Sequence, residues 1–62
     1  MNRVSALRLI SSKAAYIVEV ARTVRDRTLY LDNHEIIENV ERIRKGCDQI
    51  IEYLEEASDV PD

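Results

Sequence analysis

The chain has few of the features that usually stabilise a very small domain. Its 62 residues include one cysteine, Cys47, which has no partner for a disulfide within the chain. One histidine and one cysteine do not make the four-ligand set of a structural zinc site, and we predict no metal and no cofactor. Tryptophan and phenylalanine are absent. Because so short a chain buries a small fraction of its surface, these absences favour stabilisation by association.

Helix-breaking residues and long apolar runs are scarce as well. The chain has one glycine and one proline, with 45% hydrophobic and 34% charged residues, a composition typical of an all-α protein. No apolar run approaches the roughly 20 residues that span a bilayer, so we predict no membrane association. We expect a cytoplasmic protein, in which Cys47 stays a thiol.

Charge is divided unevenly between the two halves of the chain. Residues 1–31 contain six basic and two acidic residues, a net charge of +4, whereas residues 32–62 contain three basic and ten acidic residues, a net charge of −7. The two halves could therefore attract each other, within one chain or between two copies of it.

Two apolar seams with alternating spacings of three and four residues predict two helices. If one helix continued with the same spacing, the next positions of the first seam would be Glu35, Glu38 and Arg42, which are charged. The second apolar seam instead starts at Ile36, and this change of phase predicts that the chain turns back. The seams comprise Leu7, Ile10, Ala14, Ile17, Ala21, Val24, Thr28 and Leu31, and then Ile36, Val40, Ile43, Cys47, Ile50, Leu54 and Ala57.

The turn is predicted near Asp32, because Asp32 and Glu35 have the spacing of a capping box at the start of a helix. Pro61 disfavours helical angles in the preceding residue and predicts where the second helix stops. We therefore predict one domain over residues 1–62. It has helix 1 at about 3–30, a turn at about 31–33, helix 2 at about 33–58 and a frayed tail at 59–62.

Antiparallel pairing of the seams about residue 32 places small residues opposite larger ones in most layers, which favours close packing. This pairing predicts that Cys47 is buried against Ile17 and that Ala21 faces Ile43. It also makes Gly46 a position of close contact between the helices. The predicted fold is all-α, an antiparallel two-helix hairpin.

Apolar residues also flank the seams, and a lone hairpin would leave them in water. Such stripes are typical of contact surfaces, and we expect two hairpins to dimerise into a four-helix bundle. The flanking residues are Val4, Val18, Ile37 and Ile51 on one edge, and Leu9, Tyr16, Val20, Tyr30 and Tyr53 on the other.

No set of residues suggests catalysis. Arg27 and His34, with six residues between them, resemble the arginine-histidine motif of the HEPN ribonuclease superfamily, a resemblance that implies a metal-independent RNA-cleaving site. That motif lies within a packed helix of a longer domain, whereas here the stretch crosses the predicted turn. We therefore predict a non-enzymatic protein-protein interaction module that binds itself and another protein, as a regulator, inhibitor, chaperone or scaffold.

A second hypothesis is a regulatory binder of RNA or DNA. Its candidate contacts are basic residues of the first half, which could bind phosphates. In length and layer pattern the chain resembles the Rop family of plasmid copy-number regulators, whose helical hairpins dimerise and bind paired RNA loops. The candidate nucleic-acid contacts are Arg8, Lys13, Arg22, Arg25 and Arg27.

Overall fold

A computed structural model describes residues 2–58 and shows two α-helices that contact each other as a hairpin. Helix α1 spans Arg3–Arg27, a short 3-10 helix spans Thr28–Tyr30, and helix α2 spans Asn33–Ser58. The prediction of an all-α hairpin is confirmed, whereas the predicted frayed tail at 59–62 lies outside the described residues. The Cα atoms extend over 47 × 15 × 9 Å, so the two helices form a single layer.

Side chains cap the start of both helices. The capping box predicted at Asp32 is confirmed: the Glu35 amide donates to Asp32 Oδ1 at 2.8 Å, and the Asp32 amide donates to Glu35 Oε1 at 3.2 Å. At α1, the Ser5 amide donates to Asn2 Oδ1 at 2.8 Å. These bonds satisfy amides that have no acceptor within the helix, and they fix where each helix begins.

The chain reverses between the helices without a glycine. Arg27, with φ −118° and ψ 15°, leaves the α conformation, and the 3-10 helix that follows ends at an extended Leu31. No residue in the range 2–58 has a positive φ. The Thr28 hydroxyl donates to the Val24 carbonyl and satisfies one of the last acceptors of α1.

Gly46 sets the register of the hairpin. A Cβ atom at this position would lie 2.8 Å from Ile17 Cγ1 and 3.0 Å from Ile17 Cδ1, so the backbone of α2 directly adjoins the Ile17 side chain. The predicted role of Gly46 as a close-contact position is confirmed. Because the helices are antiparallel and rise equally per residue, each step forward along α1 is level with one step back along α2. Val20 therefore lies at about the height of Ile43, and Ala6 at about the height of Ala57.

Two of the predicted layers differ from the structure. Ile17 lies against Gly46 rather than Cys47, and Cys47 is exposed, so its predicted burial is wrong for the hairpin. Ala21, predicted to face Ile43, is also exposed, and its neighbour Val20 is buried instead. Both differences have one cause. Each helix is rotated about its own axis, so that residues next to the predicted seam face the other helix.

The hairpin buries little apolar surface. Ala6, Val20 and Ala57 are its buried hydrophobic residues within the described range, and no large side chain there is fully buried. Asn39, half-buried and level with Val24, donates its side-chain amide to the Glu35 carbonyl at 2.8 Å. Within residues 2–58, neither α1 nor α2 is apolar enough over a sufficient length to cross a bilayer.

Replacing Asp32 tests the cap of α2. Asp32→Ala removes the acceptor for the Glu35 amide and should lower the free energy of unfolding by about 1 kcal/mol. Asp32→Ser keeps an acceptor and should cost a few tenths of this. Urea unfolding followed by far-UV circular dichroism, at one protein concentration, measures both; equal stability of the alanine variant and the unaltered chain would contradict the role of the cap.

Filling the space at Gly46 tests the register. Gly46→Val forces two methyl groups into the Ile17 side chain and should lower the free energy of unfolding by about 1–3 kcal/mol, as overpacking does. Ile17→Ala in the same chain should recover part of this loss, because it vacates the space that the valine needs. A double-mutant cycle at fixed protein concentration measures the coupling. Simple additivity of the two effects would show that these residues do not touch.

Candidate interaction surface

One broad side of the hairpin carries most of its exposed apolar side chains, and we call it the apolar face. Successive residues of a helix are 100° apart around its axis. By this spacing, the members of the face on α1 are rotated to one side of the line of contact with α2, and the members on α2 are rotated to the same broad side of the hairpin. The two sets therefore form one continuous surface. The apolar face comprises Val4, Leu7, Ala14, Val18 and Ala21 of α1, and Ile37, Val40, Cys47, Ile51 and Leu54 of α2.

The large residues of the apolar face are extensively exposed. Leu7, Leu54, Val18 and Val40 leave 44–49% of their surface accessible, and Val4, Ile37 and Ile51 leave more than half. Ala14 and Cys47 lie at the middle of the face and would allow another helix to approach closely. In monomeric proteins a contiguous apolar patch of this extent marks a contact surface.

The opposite side of the hairpin exposes fewer large apolar side chains. Of the residues predicted there, Val20 is buried and Tyr53 is half-buried against the hairpin's own helices, while Leu9 remains exposed. The ammonium group of Lys13 lies 5.4 Å from the centre of the Tyr16 ring, in a cation–π contact. Tyr30, in the turn, is 80% exposed and belongs to neither side. A groove on this side is lined by Lys13, Tyr16, Arg42, Lys45, Gly46 and Gln49.

The basic residues considered for nucleic-acid binding do not form one patch. Arg22 and Arg25 line a concavity with Val18 and Ala21, two residues of the apolar face. Lys13 lies half a turn away from Arg22 around α1 and lines the groove on the other side. Arg8 is exposed on the same side of α1 as Arg22, and Arg27 is exposed on the side of Lys13. The five side chains are therefore divided between two sides of the helix.

Acidic neighbours already neutralise two of these arginines. Arg22 lies 3.1 Å from Glu19, one turn earlier on α1. Arg25 donates two hydrogen bonds, of 2.7 and 3.1 Å, to the carboxylate of Asp26. The hydrogen bond from Arg25 holds the pKa of the Asp26 carboxyl below its usual value, and the same bond raises the pKa of Arg25. Both groups thus keep their charges through the physiological range of pH.

His34 and Arg27 occupy different elements. Arg27 is the last residue of α1, and His34 lies in the first turn of α2, with its Nε2 atom 3.4 Å from Glu38 Oε1. The His34 side chain is solvent-exposed. Among residues 2–58, no cluster of three or more histidine, cysteine, aspartate or glutamate residues could hold a metal ion.

The sequence predicted correctly that some residues of the apolar face flank the seam. It placed the other residues of the face within the seam, in contact with the other helix. Val4, Val18, Ile37 and Ile51 were expected to flank the seam, and all four are exposed. Leu7, Val40 and Leu54 were expected to face the other helix. The missed signal is that alternate seam positions, which recur every seven residues, are the less buried ones: Leu7 and Ala21 on α1, and Val40, Cys47 and Leu54 on α2, are exposed, and Ala14 is half-buried.

Comparison of the chain with protein-family models, curated proteins and solved structures gave no match.

Proposed function

We propose that this chain is a small non-enzymatic protein-protein interaction module that acts as a homodimer. Two hairpins bury their apolar faces against each other and form a four-helix bundle in the cytoplasm. The outer surface of the bundle then binds another protein as a regulator, inhibitor, chaperone or scaffold. The observation that carries this proposal is the apolar face, which continues along both helices and is uncovered in the single chain.

The sequence seams support a bundle of four helices. A helix in such a bundle contacts two neighbours in directions about a quarter turn apart, and its core residues point between them. In the hairpin, Ile10, Ile17 and Val24 lie near the contact with α2, whereas Leu7 and Ala21 point toward solvent on the apolar face. A second layer on this face would enclose both groups. The whole 3-4 seam would then be buried, as its regular spacing predicts.

The dimensions of the chain also favour a second layer. Its accessible surface is 4876 Å², compared with about 4100 Å² for a compact monomer of 7.2 kDa. Its radius of gyration is 14.4 Å, compared with about 10.6 Å for a compact domain of this length. The excess surface is similar to the roughly 800 Å² that each partner buries in a stable interface. A second copy of the chain supplies a complementary apolar face of the same length.

Nucleic-acid binding stays a prediction from the sequence. Its candidate residues point to different sides of α1, and Arg22 and Arg25 have acidic partners. The interaction module is therefore the function that the geometry supports best.

A matched pair of leucines tests the dimer. Leu7 and Leu9 are similarly exposed, at 44% and 41%, but only Leu7 belongs to the apolar face. Leu7→Glu places a charge in the proposed interface and should raise the dissociation constant roughly a hundredfold or more. Leu9→Glu adds the same charge on the opposite side and should leave the dissociation constant nearly unchanged. Sedimentation equilibrium of both variants and the unaltered chain measures this difference.

Two outcomes of that experiment would overturn the homodimer. The unaltered chain could sediment as a monomer across the micromolar range, or both glutamate variants could dimerise equally well. The reverse result, with Leu9→Glu disrupting and Leu7→Glu neutral, would move the interface to the opposite side of the hairpin.

The native thiol provides an independent probe. Cys47 is exposed in the single chain but lies at the middle of the apolar face. Its modification by a maleimide should be fast in Leu7→Glu and slow in the unaltered protein, because dimerisation covers the thiol. The rate in the unaltered protein should rise on dilution, as the fraction of monomer grows. A rate that is equal in both proteins and independent of concentration would contradict a covered face.

A further inference from the structure

We propose that the groove on the side of the hairpin opposite the apolar face binds a compact polyphosphate, either free or as the phosphate chain of a nucleotide. We call this groove, which has a volume of about 210 Å³, the basic groove. It is formed within one hairpin, so the proposal goes beyond the interaction module and does not depend on the homodimer. The basic groove is lined by Lys13 and Tyr16 of α1, and by Arg42, Lys45, Gly46 and Gln49 of α2.

The basic groove collects three cations and no acid. Lys13 comes from α1, whereas Arg42 and Lys45 lie three residues apart on one side of α2. Within residues 2–58, none of these three side chains forms an ion pair with a carboxylate. Like charges brought together without a counter-charge repel each other, and an anion in the groove would relieve that repulsion.

The nearest acids do not neutralise these cations. The two carboxylates one turn before the α2 cations have other neighbours: Glu38 Oε1 lies 3.4 Å from His34 Nε2, and Glu41 Oε2 lies 2.9 Å from Arg44 Nη2. On α1, no acid lies within four residues of Lys13. The three positive charges of the groove are therefore available to a ligand.

Two contacts hold the Lys13 charge at the groove. The Lys13 side chain crosses from α1 to α2, where its Cδ atom lies 3.6 Å from the position that a Cβ atom would take at Gly46. Its ammonium group lies 5.4 Å from the centre of the Tyr16 ring, and the side chain is half-buried. A cation that is positioned before the ligand arrives loses less side-chain entropy on binding.

The chemistry of the lining matches phosphate. Ionised phosphate oxygens accept hydrogen bonds from ammonium and guanidinium groups, and such charge-assisted bonds are the strong ones. The Tyr16 hydroxyl and the Gln49 amide are further donors. The Tyr16 side chain is 45% exposed and also offers a ring on which a nucleobase could stack.

The acids around the groove favour a short ligand. Glu38 and Glu52 lie seven residues before and after Lys45, on the same side of α2. Glu41 and Asp48 line the adjoining concavity. A nucleic-acid strand or an extended acidic peptide that followed α2 would meet these carboxylates, and the net charge of −3 opposes it further. A di- or triphosphate keeps its charge within the groove.

Titration with sodium tripolyphosphate tests the site. Calorimetry at about 0.05 M salt should detect binding, which should weaken as salt is added. Arg42→Gln and Lys45→Gln should each raise the dissociation constant roughly five- to tenfold. Lys13→Met keeps most of the aliphatic stem over Gly46 and should have a similar effect. The matched control is Arg8→Gln, which removes the same charge from another side of α1 and should leave the dissociation constant nearly unchanged.

Two results of this titration would overturn the proposal. Tripolyphosphate could fail to bind at millimolar concentration, or Arg8→Gln could weaken binding as much as Arg42→Gln does. The second result would mean a general attraction to positive charge rather than a site. Far-UV circular dichroism checks that each variant remains helical, so that a loss of binding is not a loss of folding.

Two further ligands define the class. If the source of the phosphates is a nucleotide, adenosine triphosphate should bind more tightly than tripolyphosphate, and Tyr16→Leu should remove the difference. Equal affinities would assign the site to the phosphate chain alone. A single-stranded RNA oligonucleotide or a polyglutamate peptide that binds more tightly than either, with the same sensitivity to Arg42→Gln, would reject a compact ligand.

The basic groove and the homodimer fail in different ways. A chain that sediments as a monomer and still binds tripolyphosphate would reject the homodimer and keep the groove. A chain that sediments as a dimer and does not bind tripolyphosphate would do the reverse.

Discussion

The structure depends on one close contact, at which the backbone of α2 meets the side chain of Ile17. The absence of a side chain at Gly46 allows this approach, and it fixes which residues of the two helices are level. The burial of Ala6 and Ala57 at one end and of Val20 further along follows the same register. A shift of one residue would separate these features, because all of them are set by a single offset between two antiparallel helices.

The helices and their turn could be predicted from the sequence because their causes are local. Asp32 and Glu35 are three residues apart and form the capping box by themselves, whatever the rest of the chain does. The change of phase between the two seams is likewise visible in residue types alone. The cap at Asn2 could have been found from the same rule, since asparagine before a helix accepts from the amide three residues later.

The rotation of the helices about their axes could not be predicted in this way. The apolar seam gives the average direction in which the apolar side chains of a helix point. In a helix with two neighbouring helices, this direction lies between the two neighbours. In the hairpin, α1 has one neighbour, so Val20 turns inward and Ala21 is left exposed. Sequence periodicity does not state how many neighbours share a seam. The misplacement of Cys47 has this origin, and the exposed half of each seam is what the proposed second layer would cover.

The level pairing of Ala6 with Ala57 places the start of α1 and the last described turn of α2 side by side, at the end away from Leu29. The chain therefore enters α1 and leaves the described part of α2 at the same end of the hairpin, opposite the tip formed by the turn.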